Sequence, residues 1–269
     1  MLNLDGGYLT FKLAFGGFDS WVMKYGQQVA MFAVDNKPKR RELYAPYKQY
    51  RNVGEDKQAL VKMVWELRKR VETEATLPLC SIEGLEADDL VACWNLFNPG
   101  DSIVGVDKDF FQLPDVQNCF YHNMQNYSKA AMLEKLPDYV LALAQQNFAL
   151  YQILLGDVAD NIPRLLAKGK KGKQQIEEAL KWDDFGEVDC WLLANFGEQA
   201  KTNTALVLLP FYTYCDFDIY THEDWFSCWA TGHYYDQGNW QRLYSKMQAC
   251  MLPNRVKQDT ETLEMFSLI

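Results

Sequence analysis

The feature that most constrains this chain is a series of short apolar segments in its first half, separated by stretches with helical periodicity. The apolar segments are residues 2–4, 29–34, 79–82, 102–106 and 119–122. The helical patterns between them cover residues 21–27, 57–72 and 88–97. Strand-like segments that alternate with helices predict an α/β fold with a mostly parallel sheet.

From about residue 138 onward the apolar spacing becomes dominantly helical. The helical patterns there cover residues 139–155, 174–180, 189–195 and 205–209. We therefore expect an α/β core over 1–137 and a helical lobe over 138–269, packed together because no low-complexity linker separates them. The composition, 48% hydrophobic and 23% charged, is that of a packed globule and excludes disordered, collagen-like and coiled-coil proteins.

Acidic residues follow the predicted strands. They are Asp5, Asp35, Glu86, Asp88, Asp89, Asp107 and Asp109. Because the carboxyl ends of parallel strands meet at one edge of a sheet, we expect these carboxylates to converge in one crevice. Carboxylates at close range cannot all stay ionised without cations, and oxygen ligands suit Mg²⁺ or Mn²⁺. The alternative, ordinary helix caps and turn residues, explains one such acid more easily than the whole set.

Three strings occur in order with these acids. They are Glu86-Ala87-Asp88-Asp89, Asp107-Lys108-Asp109 and Gly156-Asp157-Val158-Ala159-Asp160-Asn161-Ile162-Pro163. Together they resemble the 5′-nuclease (flap endonuclease) family, which includes the 5′→3′ exonuclease domain of DNA polymerase I and stand-alone phage enzymes. The resemblance covers residues 2 to about 180. It implies a PIN-like fold, a helical arch or gateway over about 36–75, and a helix–hairpin–helix element over about 157–180.

The resemblance also implies roles for the acidic residues. The first metal cluster would be Asp5, Asp35, Glu86 and Asp88, and the second would be Asp107, Asp109, Asp157 and Asp160, with Asp89 beside them. Two or more Mg²⁺ or Mn²⁺ ions would activate water and stabilise the leaving oxygen. Asp88 and Asp107 are therefore expected to be catalytic, in an enzyme that cleaves DNA from 5′ ends or at flaps.

A fourth string, from Arg40 to Arg51, has the form R-x-E-x-Y-x-x-Y-K-x-x-R. By resemblance, Lys48 and Arg51 would reach the scissile phosphate as catalytic cations, while Arg40, Tyr44 and Tyr47 would position the DNA strand. A cation beside the reacting phosphoryl group stabilises developing charge. A basic loop with two core tyrosines is the alternative.

The net charge of −9 argues by itself against nucleic acid, because phosphate contacts need cations. The cations are clustered, however: residues 36–70 hold eleven basic and four acidic residues, and residues 164–173 hold five basic residues and no acid. Such clustering is typical of a phosphate-binding surface.

The second basic cluster departs from the glycine-spaced turn of the family. The residues expected to contact DNA are Arg164, Lys168, Gly169, Lys170, Lys171 and Lys173. Arg164 and Ala167 stand where relatives carry glycine, so a K⁺ site there is doubtful and lysine side chains should hold the phosphates. That predicts salt-sensitive binding.

The remaining expectations concern location and partners. Seven cysteines without a C-x-x-C pair, and a start without a basic or long apolar segment, predict a cytoplasmic protein, in the host cytoplasm if phage-encoded, with no membrane contact. We expect a monomer that binds DNA with 5′ ends, flaps or nicks, with RNA–DNA hybrids as a further substrate. The acidic and apolar end, 261–269, either docks a replication partner or completes the fold. Two other functions stay open, a PIN-type endoribonuclease and a non-catalytic branched-DNA-binding protein.

Overall fold

The computed structural model of the protein describes residues 1–13, 17–36, 39–49, 55–74, 77–113, 115–182, 185–209 and 241–251. Arg51 and the end of the chain, 252–269, lie outside the described residues. The roles expected for them stay predictions.

A six-stranded sheet forms the centre of the described fold. Its strands are β1 (Leu2–Asp5), β2 (Val29–Ala33), β3 (Leu79–Cys80), β4 (Ser102–Val104), β5 (Asn118–Phe120) and β6 (Asn126–Ser128), in the order β3-β2-β1-β4-β5-β6. The first five run parallel, and β6 pairs antiparallel with β5. The prediction of a mostly parallel α/β fold is confirmed. The short strand β6 was missed because it is polar, with Asn126 exposed and Tyr127 and Ser128 only half-buried.

The described part of the chain forms the helices α1 (Gly6–Leu13), α2 (Phe18–Tyr25), α3 (Arg40–Leu43), α4 (Glu55–Glu74), α5 (Ala87–Phe97), α6 (Lys129–Leu133), α7 (Asp138–Gln146), α8 (Phe148–Leu155), α9 (Lys170–Ala179), α10 (Phe185–Phe196) and α11 (Glu198–Val207). Helices α1, α2 and α4 cover one face of the sheet, and α5 covers the other. Along β2, Met31 faces a core with α5, and the next residue, Phe32, faces a core with α1, α2 and α4. A strand buried on both faces reads as a continuous apolar run, as residues 29–34 do.

Helices α7 to α11 form a separate apolar cluster. The single helix predicted over 139–155 is wrong, because the chain breaks at Asn147. This residue is extended (φ −146°), and its Oδ1 accepts a hydrogen bond from the Leu150 amide at 2.9 Å, which starts α8. Among the described helices, none has the length and apolarity needed to cross a bilayer.

Candidate active site at the carboxyl edge of the sheet

The parallel strands bring the predicted acids to one edge of the sheet. Asp5 is the last residue of β1, and a side chain at Gly105, just after β4, would lie 3.0 Å from the Asp5 Cβ. Asp35, which follows β2, accepts a hydrogen bond from the Ala87 amide at 2.7 Å. The ends of β1, β2 and β4 and the start of α5 therefore meet in one crevice, as the sequence predicts.

The start of α5 concentrates three of these acids. Oxygen atoms of Glu86, Asp88 and Asp89 lie within 4.8 Å of one another. The Glu86 amide donates to Asp89 Oδ2 at 2.9 Å, so Asp89 also closes the first turn of the helix. Donors that are all carboxylate oxygens at this spacing fit a hard divalent cation such as Mg²⁺ or Mn²⁺.

Arg40 lies beneath this group of acids. Its guanidinium donates to both oxygens of Asp89 at 2.7 and 2.8 Å and to Glu86 at 2.9 Å. It also donates to the carbonyl oxygens of Leu206 at 3.2 Å and Leu208 at 3.0 Å. Only 1% of Arg40 is exposed. The surface-facing role expected for Arg40 does not match this position, because its guanidinium is already held inside the fold.

The two tyrosines of the same string differ in position. Tyr47 is 3% exposed, and its hydroxyl donates to Glu86 Oε2 at 2.8 Å. Tyr44 is half-buried and packs against the helical cluster. For Tyr47 the alternative of a core tyrosine matches the structure, and its phenol orients a crevice carboxylate.

Lys48 reaches into the crevice from the residues that follow α3. Its Nζ contacts Glu86 and lies 3.9 Å from Asp160 Oδ2. Lys48 has φ +53°, and its backbone N–H donates to the Asp160 carbonyl at 3.0 Å. The side-chain amide of Asn161 (Nδ2) donates in turn to the Pro46 carbonyl at 2.9 Å. The turn over 157–162 therefore fixes the backbone that carries Lys48.

A second group of acids surrounds Lys108. The Lys108 Nζ contacts Asp157 and lies 3.6 Å from Asp109 Oδ1. Asp107 accepts a hydrogen bond from the Asp109 amide at 2.9 Å. Asp160, which the resemblance places in this group, instead lies beside Lys48.

The electrostatics of the crevice show how strongly the acids interact. Burial and the charges of Asp35 and Asp107 raise the pKa of Asp5 to about 7. Burial and Asp107 likewise raise the pKa of Asp109 to about 7. The pKa of Asp88 is raised well above its usual value by burial and by Glu86 and Asp89. Each shift disfavours the charged form, and a bound cation would reverse it.

Two residues of the crevice escaped the sequence analysis. The Gln152 amide on α8 contacts the Asp109 carboxylate, and no local pattern marks this glutamine. The sequence does carry a signal for Lys108, because this residue lies between Asp107 and Asp109 and could have been predicted to pair with an acid. Opposing the effect of burial, Lys108 lowers the pKa of Asp157.

The lysine-rich run spans the turn before α9 and the first turn of that helix. Arg164, Lys168, Lys170, Lys171 and Lys173 are all exposed. Gly169 has φ +68°, and a side chain at Gly172 would collide with the Ala167 carbonyl. The start of α9 therefore packs closely against the preceding turn and requires glycine at Gly172, a position that the resemblance to the family does not mark.

Comparison with known proteins agrees with this geometry. The family model described as the 5′-3′ exonuclease N-terminal resolvase-like domain matches residues 14–137. The part of the chain that matches this family model is therefore the part that carries most of the sheet and of the acidic crevice. The resemblance to the 5′-nuclease family is thereby confirmed.

One relative and several solved structures extend the match beyond this domain. A 5′-3′ exonuclease of Aquifex aeolicus (strain VF5) is 28% identical over 211 residues, which span 73% of this chain and 68% of the relative. A bacteriophage T5 protein crystallised with metal ions superposes with a TM-score of 0.60 at 20% identity, covering 93% of this chain and 98% of the phage chain. The T5 flap endonuclease in complex with DNA and metal ions gives 0.55 at 20% identity over 93% and 98% of the two chains. At these identities the structural matches establish the shared fold.

Proposed function

We propose that this protein is a metal-dependent 5′ nuclease that hydrolyses DNA phosphodiesters as a 5′→3′ exonuclease and flap endonuclease. The observation that carries the proposal is the crevice in which Lys48 contacts Glu86 while buried carboxylates surround it. A carboxylate crevice that also holds a lysine ammonium group is suited to phosphoryl transfer, in which positioning and charge stabilisation provide most of the catalysis. The 5′-3′ exonuclease relative from Aquifex aeolicus supports the same activity.

The acids divide naturally by position. One divalent ion would be held by Asp5, Asp35, Glu86 and Asp88, and a second by Asp107, Asp109 and Asp157. Beside these two sites, Asp160 contacts Lys48 and Asp89 contacts Arg40. When bound, Mg²⁺ or Mn²⁺ supplies activated water and stabilises the departing 3′-oxygen. The T5 5′-exonuclease has been solved with zinc bound, which supports a divalent site but leaves the choice of ion to experiment.

Lys48 and the acids that hold it have separate tasks in this proposal. Burial alone would lower the pKa of Lys48, but Asp88, Glu86 and Asp160 outweigh it and raise the pKa, so the amine stays charged. A charged amine in the crevice stabilises negative charge that develops on the phosphoryl oxygens. Arg51 would add a second cation, as the resemblance implies.

We propose that DNA is held mainly by the exposed lysines at the start of α9. Lys168, Lys170, Lys171 and Lys173, with Arg164 and Gly169, form a basic surface beside the 157–162 turn. Their flexible side chains bind phosphates as point charges, which favours salt-sensitive binding over a K⁺-organised backbone site. Arg40 and Tyr47 do not join this surface, because both are buried.

Cleavage of a 5′-labelled flap and of a nicked duplex tests the proposal. We expect cutting in Mg²⁺ or Mn²⁺, loss of cutting in EDTA, and a loss of at least about 10²-fold in rate for Asp107→Asn. Asp138→Asn, an exposed acid at the start of α7, is the matched control and should cut normally. Equal cutting by wild type and Asp107→Asn, or no cutting of any 5′-ended substrate, would contradict the proposal.

The same assay with matched RNA flaps separates the other functions. A PIN-type endoribonuclease would cut RNA in preference to DNA, and a branched-DNA-binding protein would bind flaps without metal-dependent products. The match of residues 14–137 to the 5′-3′ exonuclease family model supports neither of these two functions.

A further inference from the structure

The helical segment 241–251 lies against the outer edge of the sheet. Among the described strands β3 is outermost, and its Cys80 carbonyl accepts a backbone hydrogen bond at 2.9 Å on the side of β2. Neighbouring carbonyls of a strand point to opposite edges, so those of Leu79 and Ser81 point away from β2. The Cys250 sulfur lies 3.9 Å from the Leu79 oxygen and 3.8 Å from the Ser81 oxygen. Cys250 therefore contacts the open edge of the strand that carries Cys80.

Apolar packing holds the segment in this place. Leu243, Met247 and Met251 are each at most 2% exposed and belong to the core that α5 forms with β2 and β3. Their spacing of four residues puts them on one face of the helical segment. Cys250 directly precedes the last of them and is exposed, at the margin of that face.

The sulfurs of two cysteines meet at this margin. The thiol of Cys80, which is fully buried, donates a hydrogen bond to the sulfur of the exposed Cys250. The same hydrogen bond lowers the pKa of Cys250 to about 6, against the effect of partial burial, and raises the pKa of Cys80. At neutral pH the accessible sulfur is therefore mainly a thiolate, while the buried sulfur keeps its proton.

This pairing differs from that of an ordinary buried cysteine, which packs as a small apolar side chain and is inert. The thiolate is the form of cysteine that peroxides oxidise, and exposure decides which thiolate they reach. A second cysteine in contact with the oxidised one converts it to a disulfide. Cys250 has the exposure for the first step, and Cys80 has the contact for the second.

We propose that Cys80 and Cys250 form a reversible disulfide in response to hydrogen peroxide, which fastens the segment 241–251 to the edge strand β3. This inference is independent of the proposed nuclease function. In a reducing compartment such a bond is transient and serves redox sensing rather than permanent stabilisation.

The reaction has two steps. The Cys250 thiolate attacks one oxygen of hydrogen peroxide, so that an S–O bond forms, the O–O bond breaks and hydroxide leaves. The Cys80 sulfur then attacks the resulting sulfenic acid, an S–S bond forms, the S–O bond breaks, and the hydroxyl group leaves with the Cys80 proton as water. The two sulfurs together give up two electrons, which reduce the peroxide. A dithiol such as dithiothreitol reverses the oxidation by thiol–disulfide exchange.

The test uses the full chain in EDTA at neutral pH. Reduced protein is treated with hydrogen peroxide, the remaining thiols are blocked with N-ethylmaleimide, and mass spectrometry of the unreduced digest maps the disulfides. Wild type is compared with Cys250→Ser, with Cys80→Ala and with the matched control Cys190→Ser, which removes another exposed cysteine, on α10.

We expect a peptide that joins Cys80 to Cys250 in wild type and in Cys190→Ser. In Cys80→Ala, Cys250 should instead accumulate as a sulfenic acid that dimedone labels. Oxidation of wild type should raise the Tm by about 5–10 °C, because the disulfide closes a long loop of the unfolded chain. It should also slow tryptic cleavage after Lys246, since the segment must detach before it is cut. Dithiothreitol should reverse both effects, and neither should occur in Cys250→Ser.

Four results would overturn this inference. The first is a wild-type protein in which dimedone labels Cys250 but no joined peptide forms. The second is oxidation of Cys190 as fast as that of Cys250. The third is formation of the joined peptide at the same rate in urea-unfolded protein, which would show that the fold does not bring the sulfurs together. The fourth is an equal rise of the Tm in Cys250→Ser, which would assign the stabilisation to another oxidation.

Discussion

Replacing the buried Arg40 by methionine should destabilise the protein severely. Methionine keeps most of the length and apolar volume of the side chain but removes the guanidinium. The carboxylates of Asp89 and Glu86 then lose their shared cation inside the fold, and the carbonyls of Leu206 and Leu208 lose a donor. Breaking a buried ion pair from one side costs about 3–5 kcal/mol, because the remaining charge stays desolvated.

A loss of this size is a large part of the free energy of unfolding of an ordinary domain, which is about 5–15 kcal/mol. Urea unfolding in EDTA, monitored by tryptophan fluorescence, measures it. Arg41→Met on the same short helix is the matched control, because Arg41 is exposed, and should change the free energy of unfolding by no more than about 0.5 kcal/mol.

The pH dependence sharpens this test. Without Arg40 the pKa of Asp89 rises further, because burial is no longer opposed by a cation. A carboxyl whose folded pKa exceeds its unfolded value adds stability at low pH and loses it as the pH rises through that window. The destabilisation by Arg40→Met should therefore be smaller at pH 5 than at pH 8.

A loss below about 1 kcal/mol would refute this reasoning, since it would mean that the two carboxylates do not depend on Arg40. Unchanged stability combined with weaker DNA binding would restore the sequence-based interpretation of Arg40 as a DNA contact.

Four further outcomes are expected. Metal-free protein should lose stability as the pH rises from about 4 to 7, by up to about 1.4 kcal/mol per pH unit for each affected proton, because the pKa of Asp5 is raised to about 7. In urea unfolding, Asp5→Asn should reduce this dependence of the free energy of unfolding on pH. An unchanged pH dependence would contradict the prediction. Asn161→Ala should lower the free energy of unfolding measured in urea by about 1–2 kcal/mol, because the variant loses a hydrogen bond and puts alanine in a left-handed backbone conformation (φ +58°). The same variant should lower kcat, because Lys48 is no longer held in position. Lys171→Ala should reduce the slope of log Kd against log salt by about one, whereas an unaltered slope would remove this residue from the DNA surface. Gly172→Ala should weaken duplex binding more than single-strand binding, as measured by fluorescence anisotropy, because its side chain would displace the Ala167 carbonyl.

Much of the fold and of the crevice could be predicted from local pattern. Apolar runs such as 29–34 mark strands buried on both faces, and the segments between them carry helical periodicity, so a parallel sheet follows. Once the sheet is parallel, residues that follow its strands must meet at one edge. Asp5, Asp35 and Asp107 therefore converge as a consequence of the topology alone, before any side-chain contact is known.

The partners of the charged side chains could not be predicted in the same way. Arg40 and Tyr47 look like surface residues of a basic string. Carbonyls more than 160 residues away hold Arg40 inside the fold, and the carboxylate just before α5 holds Tyr47. Asp160 lies with Lys48 because two turns bind each other's backbone, and Trp65 is exposed because the core uses another side of α4. Periodicity records which face of an element is apolar, but the cost of burying a charge depends on partners that only the folded chain brings together.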